Sequence, residues 1–132
     1  MPLIASCHCG GTRIALPAQP TAAKSCNCTY CARTGAVWAY YRPGELEFLS
    51  TEGEATYAPG GMNAHHFCST CGMQTWGDSP DWSTLYANDG TLKEGAEGTM
   101  PTVRSYAVNL NLVEDLDWTA VAVEKLDGRN AW

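Results

Sequence analysis

Three cysteines fall within six residues in Cys26-Asn27-Cys28-Thr29-Tyr30-Cys31, and four more form two distant pairs, Cys7-His8-Cys9 and Cys68-Ser69-Thr70-Cys71. Thiolates are soft donors that suit zinc, and zinc takes four ligands in a tetrahedron. Two close-spaced pairs supply a closed four-sulfur set, the usual form of a structural zinc site. A C-x-C-x-x-C run brings three sulfurs to one point from a single turn and leaves a fourth position for water or substrate. The seven cysteines therefore divide as four and three. Cys7, Cys9, Cys68 and Cys71 are expected to hold the fold; Cys26, Cys28 and Cys31 are expected to serve chemistry. The cofactor expectation is two Zn²⁺ per chain, one structural and one catalytic, the catalytic ion being the easier to strip. The alternative for the trio is a second structural zinc completed by His8, His65 or His66. An odd cysteine count excludes a full set of internal disulfides, and close spacings in a reducing compartment favour metal.

A substrate thiol taking the open position loses its proton, since a coordinating thiol is deprotonated. Its sulfur can then add to an aldehyde carbon, or leave from a carbon–sulfur adduct. His65, His66 and Tyr30 are the candidates for moving the accompanying proton.

Charge distribution adds to this. Residues 1–42 hold Arg13, Lys24, Arg33 and Arg42 and no Asp or Glu, so the net charge of −6 splits as +4 against −10. The positive part carries five of the seven cysteines. Cations there balance anionic thiolates, or form a pocket for an anionic small molecule; both readings stand together. Lys24 and Arg33 lie nearest the trio in sequence and are the candidate carboxylate contacts. Trp38 and Tyr40, two apart on an expected strand, are the candidate aromatic wall. A sequence pI near 4.8 argues against nucleic acid as a partner.

These residues need elements to hold them. At 132 residues with 45% hydrophobic content the chain is expected to form one domain, 1–132. The N-terminus lacks the pattern of a secretory signal, and no apolar run is long enough to cross a bilayer, so a cytoplasmic location and no membrane partner are expected. Strands are expected at 12–16, 36–41, 45–49, 63–67, 73–76, 104–113 and 119–126, separated by Gly, Pro and Asn88-Asp89-Gly90 turns. Residues 29–34 suit one helical turn stopped by Gly35. Short strands with frequent turns indicate a mainly β fold, a sandwich or partly open barrel.

The order Ser-Cys-His-Cys-Gly-Gly, Cys-Asn-Cys-Thr-Tyr-Cys-Ala-Arg-Thr-Gly and Phe-Cys-Ser-Thr-Cys-Gly resembles the glutathione-dependent formaldehyde-activating enzyme family, which includes centromere protein V-like domains. The ending Leu-Asp-Gly-Arg-Asn-Ala-Trp is similar to that family's C-terminal pattern. The resemblance covers nearly the whole chain. It implies an Mss4-like (β-tent) fold of zinc-stabilised antiparallel sheets, with the division of cysteines given above. It also implies a carbon–sulfur lyase acting on a glutathione adduct such as S-hydroxymethylglutathione. Members with all seven cysteines do not share one proven substrate. A non-catalytic zinc module that binds a protein partner is the alternative, as in chaperone-like relatives of the fold; a chromatin-binding module is disfavoured by the acidic composition.

Overall fold

The computed structural model describes residues 3–131. Short runs rich in β-branched and aromatic residues between Gly- and Pro-containing turns favour strands, and ten are present among the described residues. They are β1 (Leu3–Ser6), β2 (Thr12–Leu16), β3 (Ala22–Cys26), β4 (Trp38–Tyr41), β5 (Glu47–Thr51), β6 (Glu54–Tyr57), β7 (Ala64–Cys68), β8 (Gln74–Pro80), β9 (Arg104–Asn109) and β10 (Ala122–Leu126). Helix α1 spans Thr29–Thr34 and α2 spans Gly128–Ala131, with short 3-10 turns at Trp82–Thr84, Leu110–Leu112 and Trp118–Ala120.

The strands form a three-stranded sheet, β1-β2-β5, and a seven-stranded sheet, β10-β3-β4-β9-β8-β7-β6. The mainly β expectation holds. Where details differ, long-range pairing and local side-chain caps are the reasons. The polar strand β6 was not expected; it pairs with β7 at the sheet edge, Tyr57 opposite His65. The expected strand 104–113 stops at Asn109, whose side-chain Oδ1 accepts from the Asn111 N–H and turns the chain into a 3-10 helix. The expected strand 119–126 starts only at Ala122, after a turn capped by Asp117. Its pairing with β3 is parallel, from Ala122 opposite Ala22 to Leu126 opposite Cys26, within otherwise antiparallel sheets. Parallel neighbours need a long connection, and here most of the chain supplies it.

The core lies between the sheets. Ala5, Ile14 and Leu16 from the small sheet meet Ala39, Trp76 and Val108 from the large one, with Leu110 and Val113 closing one end. Phe48 on β5 packs on Trp76 at 4.6 Å and so ties the layers together. Leu110 is fully buried. Truncation of a buried leucine typically costs about 2–5 kcal/mol, so Leu110→Ala is expected to lower the urea midpoint by that much stability. A loss below about 1 kcal/mol would mean that the site collapses around the smaller side chain.

Candidate metal centres

Three chain reversals meet at the first centre. The β1–β2 turn carries Cys7 and Cys9, the β7–β8 turn carries Cys68 and Cys71, and the β5–β6 turn lies between them through Gly53, whose carbonyl accepts from Ser69 N–H at 2.8 Å. The approach is close: a Cβ on Gly11 would stand 2.6 Å from the Glu52 carbonyl, so no side chain fits there. All four sulfurs lie within 4.8 Å of one another, with Cys7–Cys9 at 3.7 Å and Cys9–Cys68 at 3.5 Å. Zn–S bonds of ~2.3 Å in a tetrahedron place sulfurs about 3.8 Å apart, so the donor set fits zinc.

Backbone N–H groups point at these sulfurs. Thr12 N–H donates to Cys7 at 3.3 Å. Cys71 is lowered to about 6 by the N–H groups of Cys9 and Met73. Cys68 is lowered by the N–H groups of Cys71 and Thr70 against its own desolvation. Cys9 is pushed up to about 11: the Gly11 N–H favours its thiolate, but the Cys68 thiol, desolvation and the Cys7 and Cys71 thiols together outweigh it. One anionic sulfur thus makes the next harder to ionise, and a divalent cation relieves that repulsion.

The second centre lies where β3 runs into α1. Cys26 ends the strand, Cys28 is the N-cap of the helix and Cys31 sits in its first turns. Cys28 Sγ accepts from Cys31 N–H at 3.3 Å, and Cys26 Sγ from Cys28 N–H at 3.4 Å. Gly35 at φ 68° ends the helix, its N–H returning to the Cys31 carbonyl. The three sulfurs lie within 4.8 Å of one another, all half-buried. Desolvation pushes Cys31 up to about 12 and raises Cys26. Cys28 is lowered, because the N–H groups of Cys31 and Tyr30 and the neighbouring thiols outweigh its desolvation. Among the described residues no histidine or carboxylate joins the trio. His8 is exposed between Cys7 and Cys9. His66 turns to the other side of β7, with Nδ1 2.9 Å from Thr56 Oγ1 and its ring stacked on Trp76.

His65 is placed differently. Its ring stacks on Tyr30 at 3.9 Å, and Tyr30 Oη donates to Gln74 Oε1 at 2.7 Å. Burial holds His65 below its usual range, and burial with the Cys31 and Cys28 charges pushes Tyr30 up to about 12. Of the three candidate proton carriers, Tyr30 lies on α1 next to Cys31 and His65 stacks on it.

The four expected pocket residues separate. Trp38 is buried, 6% exposed, so it does not form an open wall. Tyr40 is 49% exposed. Its phenol is raised, first by desolvation and then by the charges of Cys31, Cys26 and Cys28. Lys24 Nζ lies 5.3 Å over the Tyr40 ring and donates to Asn88 Oδ1 at 2.9 Å. Arg33 is exposed on α1 and donates to the Thr29 carbonyl of its own helix at 2.7 Å.

Both clusters lie inside the region, residues 2–109, that matches the family model for the glutathione-dependent formaldehyde-activating enzyme. The chain belongs to this family. Its two sheets and cysteine-bearing turns are the Mss4-like architecture of the formaldehyde-activating enzyme family. A Rhodobacter sphaeroides protein of known crystal structure is similar, with a TM-score of 0.63 at 25% identity over 92% of this chain and 98% of that one. No curated protein matches the chain. Among the described residues no helix is long and apolar enough to cross a membrane.

One part of the second centre lies beyond the family match. Residues 126–131 pack on the Cys26–Cys28 turn, with Arg129 Nε donating to the Asn27 carbonyl at 3.1 Å and the Asn27 N–H donating to the Leu126 carbonyl at 3.2 Å. The ending Leu126–Trp132 carries the family's C-terminal pattern in sequence, but nothing in that pattern ties it to the Cys26–Cys28 turn. The available signal was Asn27 itself, a residue of four hydrogen-bonding groups set between two ligand cysteines.

Proposed function

We propose that this protein binds glutathione, or a thiol of similar charge, by its sulfur at the Cys26–Cys28–Cys31 centre. There it makes or breaks a carbon–sulfur bond, as in forming or splitting S-hydroxymethylglutathione. Cys7, Cys9, Cys68 and Cys71 hold the structural zinc, and the trio holds the catalytic one. The carrying observation is that the trio stops at three: its thiols converge within 4.8 Å, half-buried, with no fourth donor among the described residues. Structural zinc sites are closed by four protein ligands, and catalytic ones keep a position open. When bound there, zinc holds a substrate thiol as its thiolate. The family's description supplies the class of thiol and electrophile.

In the synthetic direction the thiol sulfur attacks the aldehyde carbon, the C–S bond forms and the carbonyl π pair moves to oxygen. The proton lost by the thiol ends on that oxygen, so the step is neutral overall. Lysis is the reverse. His65, neutral at pH 7 because burial lowers it, suits accepting the thiol proton. Tyr30 keeps its phenolic proton, and turning that proton from Gln74 Oε1 to the developing alkoxide would stabilise the charge there. Lys24 and the Tyr40 face it covers offer a cation and an aromatic surface for the thiol's carboxylate end. Trp38, being buried, backs the strand that carries Tyr40, and Arg33 is a further cation at the exposed rim.

Cobalt substitution tests the binding step. A fourth thiolate intensifies the sulfur-to-metal charge-transfer absorption, so glutathione added to the doubly substituted protein is expected to increase that band saturably. An unchanged spectrum across a panel of thiols, with the trio verifiably occupied, would overturn the reading and favour a non-catalytic binding module.

A further inference from the structure

The two C-x-C turns are fixed in different ways. The Cys7–Cys9 turn is held locally: Gly10 N–H donates to the Cys7 carbonyl at 3.1 Å and Thr12 N–H to its sulfur. Its central residue, His8, is exposed. The Cys26–Cys28 turn is held from the far end of the chain. Asn27, its central residue, has all four polar groups occupied there. Its N–H donates to the Leu126 carbonyl at 3.2 Å, and its carbonyl accepts from Arg129 Nε at 3.1 Å. Its Oδ1 accepts from Arg129 N–H at 3.0 Å, and its Nδ2 donates to Asp127 Oδ1 at 2.9 Å. Asp127 is itself braced by Asn130 Nδ2 at 2.8 Å and 3.1 Å.

We infer that Leu126–Arg129 is a clasp that holds the Cys26–Asn27–Cys28 turn in its ligating shape, with Asn27, Asp127 and Arg129 as positioning residues. The metal capacity of the three-thiol centre then depends on side chains about a hundred positions away in sequence (separations of 100 and 102) and outside the matched region 2–109. This rests on the trio being a metal site. The physical reason is entropic. Three sulfurs must be pre-aligned with no fourth protein ligand to share the ordering, and a free C-x-C turn samples many shapes that present only one sulfur at a time. Four hydrogen bonds to one residue select a single shape before the ion arrives. Groups that orient metal ligands from behind are typically worth about ten- to a hundredfold in affinity.

The test uses the full chain and cobalt alone, in competition with a chromophoric chelator. Asp127→Ala and Arg129→Ala are each expected to weaken cobalt at the three-thiol centre by about ten- to a hundredfold. The four-sulfur centre and the far-ultraviolet circular dichroism should stay as in the wild type. Asp127→Asn keeps an acceptor for Asn27 Nδ2 and is expected to restore most of the affinity, which a merely space-filling role for Asp127 would not explain. Unchanged affinity in both alanine variants, or equal losses at both centres, would overturn the clasp. Should Asp127→Ala not fold, Arg129→Ala decides, because its side chain is exposed. No thiol enters this assay, so wild-type protein that holds cobalt in the trio yet ignores glutathione defeats the proposed function while the clasp stands. Wild-type protein whose trio takes no cobalt defeats both.

Discussion

Replacing Cys71 by serine is expected to yield a chain that does not fold at neutral pH. Serine nearly keeps the size of cysteine, so packing is not the cause; the cause is loss of one of four sulfurs at the junction of three turns. The β1–β2 turn belongs to the small sheet and the β7–β8 turn to the large one, so this centre fastens one sheet to the other. A structural zinc in a small domain contributes roughly 10–16 kcal/mol of apparent binding free energy at neutral pH. Total stability of a domain is about 5–15 kcal/mol. The first term is as large as the second, so losing most of it leaves no net stability. Circular dichroism and amide dispersion in a proton–nitrogen spectrum would show the collapse, and chelation of the wild type should reproduce it. A Cys71→Ser protein that melts where the wild type does would overturn the division of the seven cysteines.

That division was readable because ligand spacing is a local property: C-x-C and C-x-x-C each fit one turn, and the chain keeps those turns as the spacing requires. The same holds for α1, bounded by Cys28 and Gly35, and for the Asn88-Asp89-Gly90 reversal, where Gly90 N–H returns to the Ala87 carbonyl at 3.0 Å. Features set by distant partners were not readable. Strand β6 is polar and half-exposed, and only its register against β7 makes it a strand. The parallel β3–β10 pair joins two segments whose own sequences carry no sign of each other. Trp38 and Tyr40 share a strand face as a period of two requires, yet the tertiary packing leaves Trp38 6% exposed and Tyr40 49% exposed. His65 and His66 are likewise told apart by what faces them, Tyr30 on one side and Trp76 on the other.

Cys28→Ala is expected to do the opposite of Cys71→Ser: to keep the fold and abolish thiol-dependent chemistry. The helix it caps is six residues long and buries none of its side chains. Losing the cap, in which Cys28 Sγ accepts from Cys31 N–H, costs about 1 kcal/mol. For a domain of this size that lowers the melting temperature by roughly 3–5 °C. The metal centre suffers far more. Cys26 and Cys31, the two sulfurs left, are the ones that desolvation raises, whereas Cys28 is the one lowered toward the thiolate a metal needs. Two raised thiols do not make a competitive zinc site, so elemental analysis should find one tightly held zinc per chain. Formation of S-hydroxymethylglutathione from glutathione and formaldehyde should fall to the rate seen without protein. In the cobalt form, glutathione should leave the charge-transfer band unchanged. Wild-type turnover from a Cys28→Ala protein carrying a single zinc would place the chemistry somewhere other than the trio; a variant that fails to fold would make the trio a second structural site.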